Sequence, residues 1–170
     1  MHHWPLYVVE FKAGRHDFFY LTDARLKPLQ NGDLVIVEAD RGKDLGKVIE
    51  DNIMNAHQLA HYQATHADPI AENYNREVHP KRIDRLAKPD EVAMLVYKSK
   101  EEAKAMAICQ AKIRAKKLHM EVVDAEYQWD RRKLTFYFVA DHRIDFRDLV
   151  RDLFKTYKTR IWMCAVNAIK

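Results

Sequence analysis

The feature that most constrains the fold of this 170-residue chain is a change of hydrophobic period in its second half. Residues 89–118 and 146–157 carry apolar side chains at a helical spacing. Residues 121–129 and 133–140 instead alternate apolar and polar side chains, as strands joined by a turn at 130–132 do. Residues 159–167 predict a last strand. These predicted elements follow the order helix, strand, strand, helix, strand. That is a ferredoxin-like βαββαβ lobe without its first strand, and a short strand at 82–86 would complete it.

Both predicted helices have an apolar stripe. In residues 89–118, where a helix start is indicated by Pro89 and Asp90, the stripe consists of Val92, Leu95, Val96, Ser99, Ala103, Met106, Cys109 and Ile113. At about 1.5 Å per residue this helix would extend roughly 45 Å unless it breaks near Ser99. Asp145 predicts an N-cap for the second helix, with Asp148 three residues on. The stripe of the second helix consists of Phe146, Leu149, Val150, Leu153, Phe154 and Tyr157.

The first half is predicted to be β structure. Short runs of β-branched and aromatic residues predict strands at 6–11, 16–21, 34–38 and 45–50, with turns between them. Strands this close together favour a small bent sheet or partial barrel, and Gly46 predicts a bulge or a close backbone approach. We therefore expect an α+β domain spanning 1–170, with a β lobe at 1–52, a helical or loop connector at 53–80 and a ferredoxin-like lobe at 81–170.

Charge is divided unevenly between the halves. Residues 1–85 hold 11 Lys and Arg against 13 Asp and Glu, whereas residues 86–170 hold 18 against 12. Any attraction for a polyanion is therefore expected in the second half. Cys109 and Cys164 both lie in apolar surroundings, which indicates reduced thiols. Because no signal peptide and no long apolar stretch is visible, we expect a cytoplasmic protein with no membrane partner.

Two long motifs resemble the polymerase-suppressor protein (PSP) C-terminal domain family. The first runs from Gly32 to Glu38 and continues from Arg41 to Gly46 as RGKDLG; the second runs from Asp145 to Met163, beginning DFRDLVRDLF. Together they give a resemblance over about residues 6–165. The family's members include bacterial YaaT-like proteins, fungal polymerase suppressors and kinetoplastid RNA-binding proteins.

The resemblance implies no catalytic activity. It implies a regulatory subunit in complexes that serve RNA processing, mRNA turnover or DNA replication. Bacterial members continue into a cysteine-rich tail linked to iron–sulfur chemistry, and because this chain lacks that tail we expect no cluster and no other cofactor.

The candidate nucleic-acid contacts are basic side chains of the second half, which could bind phosphates. They are Arg147, Arg151, Lys155 and Lys158 of the second helix, Arg160, the group Lys112, Arg114, Lys116 and Lys117 that ends the long helix, and Arg131, Arg132 and Lys133 at the hairpin tip. The alternative is a solvated face whose cations pair with Asp148 and Asp152.

Tyr137 and Trp162 are candidates for base stacking. Each alternates against apolar neighbours, so both would lie on the sheet face away from the helices, where single-stranded RNA readers stack bases. The alternative is that the β lobe or a second subunit covers this face.

Other site chemistries have weaker support. His57 and His61 have a helical spacing, with His66 nearby, but neither a Glu nor a Cys beside them completes a metal motif, so we expect no metal. No nucleophile motif surrounds Cys109, and we expect no enzyme activity. The N-terminal motif residues Gly32, Asp33, Arg41, Gly42, Asp44 and Gly46 are interpreted as a structural loop, with a binding loop as the alternative.

Two functions remain open at this point. One is a non-enzymatic regulatory module that binds RNA, or single-stranded nucleic acid generally, through the basic second half. The other is a protein-interaction scaffold in a larger complex, without direct nucleic-acid contact. A homo-oligomer is compatible with both.

Overall fold

The structure, a computed structural model, describes residues 4–21, 28–66 and 78–166. They form two compact units. The first comprises described residues up to Asp40 together with Asp44–Ala87, and the second comprises Arg41–Lys43 and described residues from Lys88 onward. The predicted α+β class, with an N-terminal β part, a helical segment and a C-terminal sheet with helices, is confirmed. Residues 67–77 of the predicted connector lie outside the described residues.

The first unit is a closed five-stranded barrel in the order β1-β2-β5-β3-β4, with one α-helix. Its elements are β1 (Leu6–Glu10), β2 (His16–Leu21), β3 (Leu34–Glu38), β4 (Lys43–Ile53), α1 (Ala56–His66) and β5 (Lys81–Leu86), with a 3₁₀ turn at Lys12–Gly14. Antiparallel pairing of β1 with β4 closes the barrel, so its strands leave no unpaired edge.

Successive side chains of β1 point to opposite faces of the strand, so β1 contributes to two hydrophobic cores. Tyr7 and Val9 pack in one cluster with residues of β2, β3, β4 and β5, while Leu6 and Val8 pack in another with side chains of α1. The predicted close approach at Gly46 is confirmed, because a Cβ there would lie 2.5 Å from a Val9 methyl group. Strand β1 is therefore apolar on both faces, because each face packs in a core.

Strand β5 is where the sequence prediction needs correction. The strand was expected to complete the ferredoxin-like lobe, but it pairs parallel with β2 and antiparallel with β3 in the barrel. Its buried residue Ile83 contributes to the barrel core, and its backbone joins two strands that would otherwise be unpaired edges. The second unit therefore begins after Ala87 and has one strand fewer than predicted.

The second unit is a three-stranded sheet with helices. Its elements are α2 (Pro89–Ala93), α3 (Leu95–Ala115), β6 (Glu121–Tyr127), β7 (Lys133–Val139), α4 (Arg147–Tyr157) and β8 (Arg160–Ala165). Central β7 pairs antiparallel with β6 and parallel with β8. Because parallel strands need a crossover connection, α4 lies between β7 and β8 in sequence. No helix of the described chain is both long and apolar enough to cross a membrane.

The predicted single helix at 89–118 is two helices, since the α-helix is interrupted at Met94. The break lies earlier than the possible break near Ser99. The predicted stripe is also displaced in its first half, because Val96 is 58% exposed and Ser99 and Ala103 are exposed as well. The residues that α3 buries are Glu102, Ala105, Cys109 and Ile113.

Helix α4 buries Leu149 and Leu153, as predicted, but Phe154 is 51% exposed. The predicted cap at Asp145 is also wrong, because the N-cap residue is Phe146 and it makes no side-chain capping bond. Asp145 instead binds the side chain of Arg147. One flank of α4 therefore leaves an aromatic ring in solvent.

Candidate functional site

The tip of the β6–β7 hairpin and the turn between α4 and β8 come together in the second unit. Lys133 and Arg160 are register partners in the β7–β8 pair, and the Thr159 hydroxyl donates a 2.8 Å hydrogen bond to the carbonyl oxygen of Arg131. Arg131 and Lys158 have left-handed backbones, with φ of 68° and 56°, as single residues of tight turns do. The two turns are thus fixed against each other.

A third segment, the turn that precedes β4, reaches the same place. The Gln128 side-chain amide donates to the carbonyl oxygen of Arg41 at 2.7 Å, and the backbone N–H of Lys43 donates to the Asp130 carboxylate at 2.8 Å. Gly42 between them has φ of 84°, and a Cβ there would overlap the Asp130 carboxylate. Only glycine fits both the backbone conformation and the space.

The Asp130 carboxylate joins these segments. It accepts hydrogen bonds from the Gln128 amide at 2.8 Å and from the backbone N–H of Arg132 at 3.1 Å, in addition to the bond from Lys43. The Asp130 side chain is only 18% exposed, so these charge-assisted bonds form in a partly desolvated place where they are stronger than in water. Buried polar bonding therefore holds the backbone around an open concavity.

This concavity, here called the basic pocket, has a volume of about 460 Å³. Its lining consists of Arg41, Arg131, Arg132, Lys133, Phe154, Lys158, Thr159 and Arg160. Six of these side chains are cationic and none is acidic. The pocket therefore brings together five cations of the basic second half with Arg41 of the first half.

Carboxylates neutralise only part of this charge. Arg131 pairs with Glu101 at 2.5 Å and lies over the ring of Tyr127, and Arg132 lies 3.7 Å from Asp130. The other cations of the lining have no carboxylate within ion-pair distance in the described chain. They are Arg41, Lys133, Lys158 and Arg160. Convergent cations without carboxylate partners make a site for an anion, and Arg and Lys bind phosphate oxygens through charge-assisted hydrogen bonds.

Two exposed aromatic rings lie at or beside the pocket. Phe154 forms part of the lining and is 51% exposed. Trp162 is 53% exposed, and the guanidinium of Arg160 lies 5.9 Å from the centre of its ring. Exposed aromatics beside cations are the combination on which unpaired bases stack.

Several predicted contact residues are instead engaged in ion pairs. Arg147 makes a bidentate pair with Asp145 at 2.8 and 2.9 Å, and its hydrogen bonds lower the pKa of Asp145 to about 2. Arg151 binds Asp148 at 2.9 Å. These pairs match the alternative of a solvated, paired face, although the spacings are two and three residues.

The remaining predicted cations lie outside the pocket. Lys116 binds Asp152 at 2.9 Å, which lowers the pKa of that carboxyl. Lys112, Arg114 and Lys117 end α3 or follow it, and Lys155 is exposed on α4. The predicted set is thus divided, and the hairpin and turn cations Arg131, Arg132, Lys133, Lys158 and Arg160 are the ones brought together.

The prediction of Tyr137 as a stacking residue is wrong. Tyr137 is 8% exposed, and its hydroxyl donates a 2.6 Å hydrogen bond to the buried carboxylate of Glu126. Gln128 and Thr135 are buried as well. The polar face of the sheet is therefore buried along β6 and β7. Of the two aromatic residues predicted to stack on bases, only Trp162 is exposed.

Sequence reasoning missed three members of the pocket. Phe154 belongs to the predicted helix stripe, Thr159 carries no signal of its own, and Arg41 is predicted only as a loop residue. The sequence feature that marks Arg41 is the glycine that follows it. A turn that requires Gly42 fixes the backbone of Arg41 in one conformation. Its meeting with the hairpin tip depends on tertiary structure and has no local signal.

The residues of the predicted structural loop lie in the turns that precede β3 and β4 and at the start of β4. The Asp33 carboxylate accepts the backbone N–H of Gln30 at 2.8 Å, and Gly32 and Gly42 have positive φ. Asp44 is buried and binds Arg15 at 3.1 Å. Most of this motif therefore builds the barrel, and Arg41 is the member that lines the pocket.

A second concavity, of about 470 Å³, lies beside α1. Its lining is Glu50, Ile53, His57, Gln58, His61, Tyr62 and Thr65. Among the described side chains, no group of three His, Cys, Asp or Glu residues is placed to hold a metal ion, and the side chain of His66 lies outside them. Elsewhere, burial raises the pKa of Cys109 to about 12, so this thiol is protonated at neutral pH.

Comparison with known proteins places this architecture in a family. The PSP1 C-terminal conserved region matches residues 81–166, which is half of the chain and contains the hairpin and turn of the basic pocket. An uncharacterised protein of Schizosaccharomyces pombe is 51% identical over 175 residues, covering 96% of this chain. The chain belongs to the PSP1 C-terminal family.

Two further relatives are similar to this chain. Protein PSP1 of Saccharomyces cerevisiae is 30% identical over 95% of the chain, and stage 0 sporulation protein YaaT of Bacillus subtilis is 35% identical over 88%. The aligned regions cover 23%, 27% and 48% of the S. pombe, S. cerevisiae and B. subtilis proteins, so this PSP1 family chain spans less than half the length of each. No solved structure matches it.

Proposed function

We propose that this PSP1 family chain is a non-enzymatic regulatory module that binds single-stranded RNA through the basic pocket. The observation that carries the proposal is the convergence of six cations from three turns on a concavity with no acidic lining residue. Phosphate contacts supply most of the affinity in nucleic-acid binding, and the exposed rings of Phe154 and Trp162 offer stacking surfaces. A cytoplasmic role in mRNA regulation follows as part of the same proposal.

The test compares two variants with the same change of charge. Lys133→Gln/Arg160→Gln removes a Lys and an Arg from the pocket, whereas Lys116→Gln/Arg151→Gln removes a Lys and an Arg that are ion-paired elsewhere. Binding of a labelled 20-nucleotide RNA is followed by fluorescence anisotropy between 50 and 200 mM salt. Thermal unfolding confirms that each variant is folded.

The pocket variant should bind RNA at least roughly tenfold more weakly, and its salt slope should fall by about 0.7 for each phosphate that it no longer neutralises. The control variant should stay within about threefold of wild type, because only non-specific charge has changed. Equally weakened binding by both variants would show that net charge, and not the pocket, attracts RNA. No binding by wild type at tens of micromolar would overturn the proposal.

A second candidate is a protein-interaction scaffold, and exposed apolar side chains at the break between α2 and α3 and in the first turn of α3 favour it. Met94, Val96 and Tyr97 are 52%, 58% and 59% exposed, and adjacent exposed apolar groups mark interaction surfaces. A photo-crosslinking residue at Tyr97 should then form a discrete covalent adduct in cells, while the same residue at exposed Lys117 should not. Equal yields at both positions would contradict docking on this surface.

A further inference from the structure

We infer that the basic pocket receives the terminal phosphomonoester of a single-stranded RNA, with the adjoining base stacked on Phe154. This inference rests on the proposed function and assigns the pocket to an RNA end instead of the middle of a strand. Its basis is the charge of the lining, the arrangement of the turns around it, and the position of the exposed aromatic ring.

The charge of the lining favours a dianion. Four cations lack a carboxylate in the described chain, and the carboxylates beside the pocket, Glu101 and Asp130, pair with Arg131 and Arg132. An internal phosphodiester carries one negative charge, whereas a phosphomonoester carries between about 1.5 and 2 at pH 7 and offers three acceptor oxygens. Since Coulomb energy scales with the product of the charges, the pocket should favour the monoester.

The arrangement of the turns favours an end over a continuous strand. The pocket lies where three turns meet, at Arg41, at the hairpin tip and at the α4–β8 connection. A nucleic-acid groove runs along a sheet face or a helix, but the polar sheet face is buried at Thr135 and Tyr137. A volume of about 460 Å³ is in the range of sites that hold one small-molecule ligand, the size of a single terminal nucleotide and not of a strand.

The aromatic ring gives the adjoining nucleotide a surface. Phe154 belongs to the lining and half of it is in solvent, although it lies on a helix whose neighbouring Leu153 is fully buried. Base stacking on an aromatic ring is tolerant of sequence and contributes about 1–3 kcal/mol per base. The site should therefore recognise an RNA end with little preference for the identity of the base.

The pocket is also preorganised. Thr159 is bonded to Arg131, and Asp130 and Gln128 hold the backbone of the segment around Gly42. Because these bonds are made among the protein's own atoms, binding requires little further ordering of the backbone. The selectivity for a phosphomonoester should consequently be present in the free protein.

The test is a competition assay with the full chain. A decamer RNA with a 5′-phosphate and a 3′-fluorophore is displaced by unlabelled decamers of the same sequence that carry a 5′-hydroxyl, a 5′-phosphate or a 3′-phosphate. A phosphoserine decapeptide is a fourth competitor. The comparison is repeated with Phe154→Leu, with Lys133→Gln/Arg160→Gln and with the control Lys116→Gln/Arg151→Gln, and with wild type at pH 5.

One phosphorylated RNA end should compete about tenfold better than the hydroxyl end. The preference should vanish in the pocket variant, persist in the control, and shrink at pH 5, where a monoester whose second pKa is near 6 has become a monoanion. Phe154→Leu should weaken all RNAs while sparing the preference. The 5′ and 3′ competitors show which end the pocket takes.

Three outcomes would overturn the inference. Equal competition by hydroxyl and phosphate ends would assign the pocket to internal phosphates and leave RNA binding intact. Competition by the phosphopeptide as strong as that by the phosphorylated RNA would assign it to a protein ligand. Absence of binding by any RNA would reject this inference and the proposed function together.

Discussion

Two tyrosine hydroxyls in the second unit are in opposite situations. The Tyr137 hydroxyl donates to the buried carboxylate of Glu126 at 2.6 Å. The Tyr157 hydroxyl is buried, and among the described residues it has no hydrogen-bond partner. Burial raises the pKa of Tyr157, so the group stays protonated with its donor unused. An unsatisfied buried hydroxyl costs free energy that a hydrogen-bonded one does not.

We therefore expect opposite effects from the same substitution. Tyr157→Phe should leave the free energy of unfolding unchanged or raise it by up to about 1 kcal/mol, because it removes a donor without a partner. Tyr137→Phe should lower it by about 1.5–3 kcal/mol, because it removes a hydrogen bond to a charged group. Urea denaturation of both variants measures the difference. Equal destabilisation would contradict the hydrogen bonding described for the two side chains.

At the scale of elements, a buried ion pair joins α3 to the sheet. The Glu102 carboxylate is 2% exposed and accepts hydrogen bonds at 2.7 Å from the Lys98 ammonium and from the backbone N–H of Tyr127 at the end of β6. Both long side chains are removed from water, so each charge depends on the other. This pair explains why the first turns of α3 bury a Lys and a Glu instead of the predicted apolar stripe.

Replacing Glu102 should be costly. Glu102→Ala leaves the Lys98 ammonium uncompensated and should lower the free energy of unfolding by about 3–5 kcal/mol. The matched control is Glu101→Ala on the same helix, which removes an exposed ion pair with Arg131 and should cost at most about 1 kcal/mol. Thermal or urea unfolding of both variants tests this. A cost at Glu102 no larger than at Glu101 would show that the buried pair contributes little.

The same elements show what local sequence can predict. The predicted strands at 16–21 and 34–38 have the bounds observed for β2 and β3, because alternation and turn residues are local signals. The partner of β5 is not predictable in this way, since 81–86 is a strand in either sheet. Glu102 was missed because a charged residue is expected to be exposed unless its partner is known.

At the scale of the whole molecule, the basic pocket is drawn from distant parts of the chain. The hairpin and turn cations could be predicted from their spacing, but the contribution of Arg41 could not, because 87 residues separate it from its partner Gln128. The sequence left open whether Arg147 and Arg151 are paired, and the structure pairs them with Asp145 and Asp148. Tertiary contacts decide which cations come together, and such contacts leave no periodic pattern in the sequence.

Gly42→Ala tests this long-range assembly. A Cβ at this position overlaps the Asp130 carboxylate, so the turn must shift and Arg41 with it; RNA affinity should fall about threefold or more, as when one phosphate is no longer bound. The control is Gly14→Ala, where φ is also positive at 74° but no atom of the described residues, apart from the chain neighbours, lies within 4 Å of the added Cβ. Anisotropy titrations compare the two, and equal RNA affinity in both variants would contradict a positioning role.

The contribution of Arg41–Lys43 to the second unit also bears on how such proteins can be inherited and recombined. A gene segment bounded by the family match at 81–166 would carry β5 without β2 and β3, the strands with which it pairs in the first unit, and would omit the turn that carries Arg41. Recombination at that boundary would leave a barrel without strand β5 and a pocket without Arg41 in its lining. Exchange between family members therefore has to move both units as one cassette.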